Sequence, residues 1–166
     1  SIQEYQSYVY DGVSYMDTDN TNDTQALYMQ GIYKATEELS FTLGGRYDHY
    51  DNIGGSFSPK ISAVYALTNS SSLKLVYGEA YKAPSAYELY YNDGGYYQKS
   101  SPGLESETIK NYELIYEQHF SSSHSLMLNA FSFEIENLIQ QATDTSGILY
   151  FDNLAKSKSQ GIEISH

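Results

Sequence analysis

The sequence predicts an all-β protein, an antiparallel up-and-down meander of about eight strands that forms an incomplete piece of a large transmembrane β-barrel. Three observations indicate this fold. Apolar and polar residues alternate with a period of two, the alternating runs are long, and short and long connections follow one another in order. Alternate connections of a meander lie at opposite ends of its sheet. One end would therefore carry turns and the other long loops, as in outer-membrane barrels.

Eight runs are interpreted as strands: Ile2–Tyr10, Thr24–Ala35, Leu39–Tyr50, Ser58–Leu67, Leu73–Tyr81, Thr108–Phe120, Ser125–Glu136 and Gln160–Ser165. Tight turns are predicted at Thr36–Glu38, Thr68–Ser72 and Ser121–His124, and long polar loops at Asp11–Asp23, Asp51–Phe57, Lys82–Glu107 and Asn137–Ser159. Most of these runs exceed the usual five or six residues and suit the roughly 9–11 tilted residues that cross a bilayer. Helical spacing of apolar residues is rare, and only Pro84–Tyr90 is compatible with a short helical turn.

The alternation predicts two unlike faces of the sheet. The apolar face, which would meet lipid, contains Leu39, Phe41, Leu43, Tyr47, Leu73, Leu75, Tyr77, Tyr112, Leu114 and Tyr116. The opposite face would line the barrel lumen, and its candidate residues are Arg46, Asp48, Lys74 and Glu113. Ser125–Glu136 is less regular, because Asn129 is in phase with three apolar residues. That irregularity indicates a bulge or a polar position at the rim.

Composition disfavours several classes of protein. The formal net charge is -12 and there is one arginine, which argues against a nucleic-acid partner. The chain has no cysteine, and its mean hydropathy is -0.51. It contains 19 tyrosines but no tryptophan, and tyrosine suits a half-buried sheet or a membrane-interface girdle. Motifs of nucleophilic, phosphate-binding or dinucleotide-binding sites do not occur, so we predict no enzyme activity and no cofactor.

Two groups of side chains are candidate metal ligands. The first is the acidic cluster of Asp17, Asp19, Asn20, Asn22 and Asp23. A calcium loop beginning at Asp17 requires glycine and glutamate at the places that Asn22 and Tyr28 occupy. The second comprises the histidines His49, His119, His124 and His166, which lack zinc-ligand spacing. We therefore expect a solvated acidic loop and no metal site.

Several short motifs follow one another in a definite order. The central ones are Tyr81-x-Ala83-Pro84-Ser85, Glu88-Leu89, Pro102-x-Leu104 followed by Glu105 or Glu107, and Asn111-Tyr112-Glu113-Leu114. Leu43–Asp48 and Ser58-Pro59-Lys60 precede them, and Phe133–Ile139 and Asn153…Gly161-Ile162-Glu163 follow. Over nearly the whole chain, their order and spacing resemble the late barrel region of TonB-dependent outer-membrane receptors.

This resemblance implies a location in the bacterial cell outer membrane. It also implies a parent protein that takes up a ferric siderophore, cobalamin or a similar scarce solute with energy from the TonB system. Residues 1–166 would be a partial barrel domain, without the remaining strands and without the plug through which TonB acts. Both ends look cut, because each lies inside a strand-like pattern. We expect contacts with outer-membrane lipid, and self-association through open edges near Ile2–Tyr10 and Gln160–Ser165.

The loop Lys82–Glu107 carries the candidate residues for contact with an extracellular small-molecule ligand in the parent protein. They are Tyr87, Tyr90, Tyr91, Asn92, Tyr96 and Tyr97. Tyrosines on a loop offer stacking and hydrogen-bonding surface. The alternative is that they pack the loop onto the barrel rim and that Asn92–Gly95 is a plain turn. We expect this loop and Asn137–Ser159 to be the most mobile segments.

Two other classes of protein remain compatible with some of these patterns. The first is a small eight-stranded outer-membrane barrel that acts as an adhesin or a structural protein. The second is a soluble β-sandwich that binds a ligand. The segregation of loop lengths argues against the sandwich, and the order of the motifs argues against the small barrel.

Overall fold

The computed structural model describes residues 2–51 and 54–166, with the side chains of 2–8, 10, 13 and 16–22 left undescribed. The strands are β1 (Ile2–Tyr10), β2 (Val13–Asn22), β3 (Thr24–Lys34), β4 (Leu39–Tyr50), β5 (Gly54–Thr68), β6 (Ser71–Lys82), β7 (Glu107–His119), β8 (Ser125–Thr143) and β9 (Leu149–Ser165). One short helix, α1 (Ala86–Tyr90), lies between β6 and β7 and confirms the helical turn expected near Pro84–Tyr90.

Strands β3 to β9 form one seven-stranded sheet in which each strand pairs antiparallel with the next along the chain. The predicted meander is therefore confirmed. The strand order is linear, so β3 and β9 are open edges and the sheet is not a closed small barrel. The other sheet in the described residues is the β1–β2 hairpin, so the two-layer sandwich is not observed.

The predicted loop Asp11–Asp23 is wrong, because most of it is strand β2 paired with β1. The hairpin turns at Asp11 and Gly12, whose φ angles are 49° and 75°. Positive φ at both turn positions is the geometry that favours Asp-Gly in two-residue hairpins. The expected edge at Ile2–Tyr10 belongs to the separate β1–β2 hairpin, and the first edge of the seven-stranded sheet is β3. The side chains of the acidic cluster at 17–22 lie outside the described residues.

The predicted loop Asn137–Ser159 is also mostly strand. Strand β8 continues to Thr143, β9 begins at Leu149, and the ladder between them is interrupted near Leu138. Asn137 has a φ of 55°, as a bulged residue can. This bulge lies just beyond the run Ser125–Glu136, whereas Asn129 pairs in register with Ile115 and Glu163, so no bulge is found at Asn129. Beyond the bulge, apolar and polar residues do not alternate. The backbone N–H and C=O groups there are nevertheless paired between β8 and β9. The connection predicted at Asp51–Phe57 is shorter as well, because β5 begins at Gly54.

The register divides the sheet into the two predicted faces. Directly opposed residues of an antiparallel ladder share a face, and they form continuous rows across the sheet. One row contains Leu39, Tyr65, Leu73, Tyr116, Leu128 and Ile164; the next contains Phe41, Ala63, Leu75, Leu114, Ala130 and Ile162; a third contains Leu43, Ile61, Tyr77, Tyr112, Ser132 and Gln160. Arg46, Lys74 and Glu113 lie on the other face, since they fall between these rows. We call the first face the apolar face and the second the mixed face.

The sheet is a single layer with little packed interior. Among the described residues, the buried large apolar side chains are Leu89, in α1, and Ile139, in the part of β8 beyond the bulge, so neither belongs to the rows above. Large apolar side chains of the apolar face are open to the surroundings, and Met29 is 79% exposed. The mixed face is less polar than expected, because Phe131 and Phe133 lie in the same rows as Glu113 and Asn111.

Two aromatic rings on the apolar face cover glycines of neighbouring strands. Tyr47 and Phe57 are directly opposed in the β4–β5 ladder. The Phe57 ring leans over Gly45, where an added Cβ would lie 2.8 Å from two ring carbons, and the Tyr47 ring lies over Gly55 in the same way. Each ring thus fills the space that the missing side chain leaves on the other strand. These two ring–glycine contacts favour one relative position of β4 and β5 near the end of their ladder.

We predict that Gly45→Ala destabilises the sheet, because the new methyl group displaces the Phe57 ring from its strand partner. The expected cost is about 1 kcal/mol, at the low end for an added methyl group, since an exposed ring can rotate. Gly31→Ala is the matched control, because a Cβ there meets no atom within 4 Å. Denaturant unfolding in detergent measures both. Equal stabilities of the two variants, or a Gly45→Ala effect that persists in a Phe57→Ala background, would contradict the prediction.

Candidate functional site

The long connection between β6 and β7, residues 83–106, is folded onto the tip of the β8–β9 hairpin, residues 138–153. We call these two segments together the loop unit. The loop begins with α1, which starts with a capping box: Ser85 Oγ accepts from the Glu88 N–H at 3.2 Å, and Glu88 Oε2 accepts from the Ser85 N–H at 2.7 Å. This reciprocal cap explains why the helix begins after Ser85.

A charged cluster holds the base of the loop. Lys82 and Glu107 are directly opposed in the β6–β7 ladder, and Lys82 Nζ lies 3.3 Å from Glu107 Oε1 and 3.4 Å from Glu88 Oε1. Glu107 is 5% exposed, and its carboxylate also accepts from the Ile139 N–H at 3.0 Å. A buried carboxylate is costly unless it is paired and hydrogen-bonded. Both conditions are met here, and the cluster ties the two ends of the loop to β8.

The tip of the loop is organised by two side chains. The Asp93 carboxylate accepts from the N–H groups of Tyr96, Tyr97 and Gln98 at 2.9–3.1 Å, and Asn92 Oδ1 accepts from those of Gly94 and Gly95. Desolvation alone would raise the pKa of Asp93, but these N–H donors hold the pKa below its usual value. The turn expected at Asn92–Gly95 is therefore present, and it belongs to a larger rigid tip.

Backbone pairing joins the tip to the β8–β9 hairpin. Gln98 and Leu149 form a parallel bridge, with Leu149 N–H donating to the Tyr97 carbonyl at 2.7 Å and Lys99 N–H to the Leu149 carbonyl at 3.0 Å. The Lys99 ammonium lies 2.7 Å from Asp144 Oδ2 and 4.9 Å from the centre of the Tyr150 ring. A backbone bridge, an ion pair and a cation–π contact thus act together.

Asn153 completes the connection at the side of the loop. Its Oδ1 accepts from the Glu105 N–H at 2.8 Å, and its Nδ2 donates to the carbonyls of Glu105 at 3.0 Å and Asn137 at 2.7 Å. Ser101 Oγ also accepts from the Phe151 N–H at 2.9 Å. Because Asn137 is the bulged residue of β8, a single amide side chain serves both the loop and the bulge. The two segments that the sequence analysis expects to be the most mobile are therefore hydrogen-bonded to each other.

The candidate tyrosines fall into two groups. Tyr87 packs against Tyr91 at 4.8 Å and Phe151 at 6.0 Å between ring centres, and Tyr91 stacks on Tyr15 of β2 at 6.5 Å. Tyr90 is half-buried beside them in the chain. Tyr96 and Tyr97 instead project from the rigid tip, 84% and 74% exposed, with ring centres 6.2 Å apart. The first group fits the packing alternative, and the second presents free aromatic surface.

The mixed face brings two of its four candidate residues together. Arg46 donates from Nε and Nη2 to the Asp48 carboxylate at 2.7–3.0 Å, and Asp48 is 1% exposed. The pair lines a shallow cavity of about 380 Å³ with Tyr50 and Tyr81, whose hydroxyls are 2.9 Å apart. Lys74 and Glu113 lie elsewhere on the face. Glu113 accepts from the Asn111 amide, and among the described residues neither side chain forms an ion pair.

Among the side chains that the structure describes, no three His, Asp or Glu cluster in a way that could hold a metal ion. Within the same residues, no helix has the length and apolar character needed to cross a membrane.

The family called TonB dependent receptor-like, beta-barrel, matches residues 2–166, so the chain belongs to the TonB-dependent receptor β-barrel family. The vitamin B12 transporter BtuB of Photobacterium profundum is 28% identical over 154 residues, which cover 89% of this chain and 24% of that protein. The ferric enterobactin receptor of Pseudomonas aeruginosa is 28% identical over 147 residues, which cover 74% of this chain and 20% of that protein. The chain thus matches about a fifth to a quarter of the length of these relatives.

Solved structures agree with this assignment. The siderophore receptor PirA from Pseudomonas aeruginosa superposes with a TM-score of 0.75 at 26% identity, over 86% of this chain and 28% of that one. A mutant of the ferric enterobactin receptor PfeA from the same organism, in complex with enterobactin, gives 0.76 at 25% identity, over 86% and 24%. The family confirms the predicted fold class and the outer-membrane location, and these relatives are receptors and transporters.

We predict that Asn153→Ala loosens the loop unit, because it removes three hydrogen bonds and leaves the Asn137 carbonyl without its side-chain donor. These three hydrogen bonds are solvent-exposed, so each contributes about 0.5 kcal/mol, the low end for a protein hydrogen bond, and amide exchange in residues 98–106 should accelerate roughly tenfold. Asn129→Ala is the control, since the Oδ1 of Asn129 has no partner among the described residues. Unchanged exchange in Asn153→Ala, or equal acceleration in both variants, would contradict the role of Asn153.

We also predict that the Lys99–Asp144 contact depends on pH only in strong acid. The Lys99 ammonium and the N–H groups of Ile148 and Ser146 lower the pKa of Asp144 to about 2. This pKa is below the value of about 3.9 that Asp has in an unfolded chain. The Lys99–Asp144 contact therefore stabilises the fold above about pH 3.9, and this stabilisation is lost as the pH falls towards 2. Pepsin should therefore cleave the loop of Asp144→Asn faster than that of the wild type at pH 4, and both loops at similar rates near pH 2. Equal rates at pH 4 would contradict the prediction.

Proposed function

We propose that this chain is part of the barrel wall of an outer-membrane receptor that takes up a scarce solute, such as a ferric siderophore, with energy from the TonB system. The observation that carries the proposal is the loop unit. It gathers at one end of a membrane-type sheet whose other end has only the turns 35–38, 69–70 and 120–124. Long loops at the extracellular end of a barrel are where such proteins meet solutes outside the cell. The relatives named above transport vitamin B12 or receive ferric enterobactin.

The two faces of the sheet fit this role. The apolar face would meet outer-membrane lipid, and the mixed face, with Arg46, Asp48, Lys74 and Glu113, would line the lumen. Residues 1–166 would then be a partial barrel domain. The plug domain, and with it the contact with TonB, would lie outside these residues. A concave site needs walls on several sides, so binding is best tested on the full-length protein.

Within the loop unit, we assign ligand contact to Tyr96 and Tyr97 rather than to Tyr87, Tyr90 and Tyr91. The first pair is exposed and preorganised by Asp93, whereas Tyr87 and Tyr91 are already engaged with other rings. A rigid aromatic surface loses little conformational entropy when a ligand stacks on it. Asn92 contributes indirectly, because its side chain accepts from the backbone of the tip.

We predict that Tyr96→Ala/Tyr97→Ala weakens solute binding about tenfold, because two aromatic contacts of about 0.5–1.5 kcal/mol are removed. Fluorescence titration of the detergent-purified full-length protein with ferric enterobactin, cyanocobalamin and haem measures it. Tyr33→Ala, which removes an exposed tyrosine of the apolar face, is the control and should leave affinity unchanged.

The possible results test the receptor function and the role of Tyr96 and Tyr97 separately. Saturable sub-micromolar binding of one probe by the wild type supports the receptor function. Failure of all three probes, together with wild-type growth of a deletion strain on each solute, would argue against this solute class. Binding that survives in Tyr96→Ala/Tyr97→Ala would refute only the assignment of the two tyrosines.

A further inference from the structure

The ladder between β5 and β6 is shorter than its neighbours at the outer end of the sheet, the end nearest the loop unit. The β4–β5 and β6–β7 ladders continue to the outer ends of β5 and β6. The β5–β6 ladder instead stops where Lys60 pairs with Gly78. We call the parts of the two strands beyond this pair, residues 54–59 of β5 and 79–82 of β6, the seam. Along the seam, each strand is paired on one side only.

Pro59 explains why the ladder stops at this point. The Ala66 N–H donates to the Glu38 carbonyl in the register of the β4–β5 ladder, so even-numbered residues of β5 bond to β4 and odd-numbered ones face β6. Continued by one step, the β5–β6 register places Pro59 opposite Glu79. Proline has no N–H and cannot donate to the Glu79 carbonyl. The pairing of β5 with β6 therefore ends here, while its pairing with β4 is unaffected.

The Tyr81 side chain passes through the seam. Alternation along β6 would place Tyr81 on the apolar face together with Tyr77. Its hydroxyl nevertheless lies 2.9 Å from that of Tyr50, which shares the mixed face with Asp48. The two rings meet edge to face, with their centres 6.1 Å apart. This crossing from one face to the other is possible because no ladder closes the sheet between β5 and β6 at this height.

The seam separates two parts of the sheet that are each held together internally. On one side, the rings of Tyr47 and Phe57 cover glycines across the β4–β5 ladder. On the other side, Glu107 joins β6 and β7 to β8 and to the loop unit. The cavity of about 380 Å³ described above lies between the two parts, with Ser58 on one wall and Ala80 on the other. The two parts therefore have space in which to move relative to each other.

The loop unit has a second contact with the preceding strands, at β2. Tyr91 stacks on Tyr15, and the Asn92 N–H donates to the Tyr15 carbonyl at 3.1 Å. The β1–β2 hairpin is a separate sheet that is joined to β3 through Asp23. It can therefore move together with the loop unit. The contact between Tyr81 and Tyr50 is the one that bridges the seam within the seven-stranded sheet.

We propose that the seam is a hinge and that Tyr81 is a positioning residue, which holds the loop unit at a fixed angle to β4 and β5. A strand end without a ladder opens at a lower free energy than a paired one. The contact of Tyr81 with Tyr50 opposes this opening. The consequence for solute binding rests on the proposed function, because the angle decides where Tyr96 and Tyr97 stand relative to the mixed face.

The test measures distances between two spin labels by double electron–electron resonance. It uses the full-length protein in nanodiscs, without solute and with cysteines only at the labelled positions. Labels at Gln25→Cys and Thr145→Cys lie on opposite sides of the seam, whereas labels at Lys158→Cys and Thr145→Cys lie on the same side, and all three residues are exposed. We expect Tyr81→Ala to raise the population of a second, open distance across the seam about tenfold, since a hydrogen bond and an aromatic pair are lost. The distance between labels on the same side should not change.

Pro59→Val tests the cause of the hinge, because valine supplies the missing N–H and favours strands. We expect Pro59→Val/Tyr81→Ala to return to the single distance of the wild type. The matched control is Pro102→Val/Tyr81→Ala, which replaces an exposed proline of the loop unit and should stay open. An unchanged distribution in Tyr81→Ala, or equal distributions in the two proline variants, would overturn the proposal. Broadening that is equal between labels on the same side would also overturn it, since it would indicate local unfolding.

Titration with ferric enterobactin, cyanocobalamin and haem separates the hinge from the proposed function. If one of them binds, Tyr81→Ala should weaken its binding in proportion to the closed fraction that is lost, and Pro59→Val should restore it. Binding that is insensitive to both changes would refute the positioning role of Tyr81. If none of the three binds, the proposed function fails, and the distances measured without solute still decide whether the seam is a hinge.

Discussion

The unbroken register of the ladders from β3 to the middle of β8 is the constraint on which the rest of the structure depends. Side chains alternate between the faces of a strand, so a slip of one residue would exchange the two faces of that strand. Leu43, Tyr77 and Tyr112 would then lie on the mixed face, and Arg46 and Glu113 on the apolar face. The irregularity in β5–β6 is confined to the turn end, where Thr68 pairs with Ser71, so it leaves the rows above it intact.

Stability in such a sheet comes from different sources than in a water-soluble domain. The described residues have almost no buried apolar core, because one layer of strands cannot enclose one. Backbone hydrogen bonds and cross-strand pairs have to replace it. The rings of Tyr47 and Phe57 over glycines of the opposed strand, and the Phe131 ring over Gly161 of β9, are examples. Lipid on one side and further protein on the other would supply the remaining contacts.

The strands whose apolar and polar residues alternate were predicted from the sequence. The strand segments that lack this alternation were missed. Strands β3, β4, β6 and β7 agree with their predicted runs to within a few residues, and the two faces were assigned correctly. Strand β2 and the outer parts of β8 and β9 were interpreted as loops because their residues are polar, although Asp11-Gly12 is a strong hairpin signal. The tyrosines of the long loop were recognised by composition. Lys99, Ser101, Asp144 and Asn153, which hold the loop unit together, were not, because their partners lie 45–50 residues away in sequence. Of these, only Asn153 had a signal, its place in a family motif.

The bulge at Asn137 interrupts the β8–β9 ladder between the rows of the sheet and the tip that carries part of the loop unit. The ladder keeps the same offset on both sides, since Ile135 pairs with Ser157 and Ile139 with Asn153, and only Leu138, paired with Ala155, departs from it. The backbone groups near the break are taken up by side chains, since Asn153 serves the Asn137 carbonyl and Glu107 serves the Ile139 N–H. The hairpin tip is thus attached to the long loop without a shift in the rows below it, which are fixed by their own pairs with β7. The fold can therefore vary its outer end while the wall of the sheet stays the same.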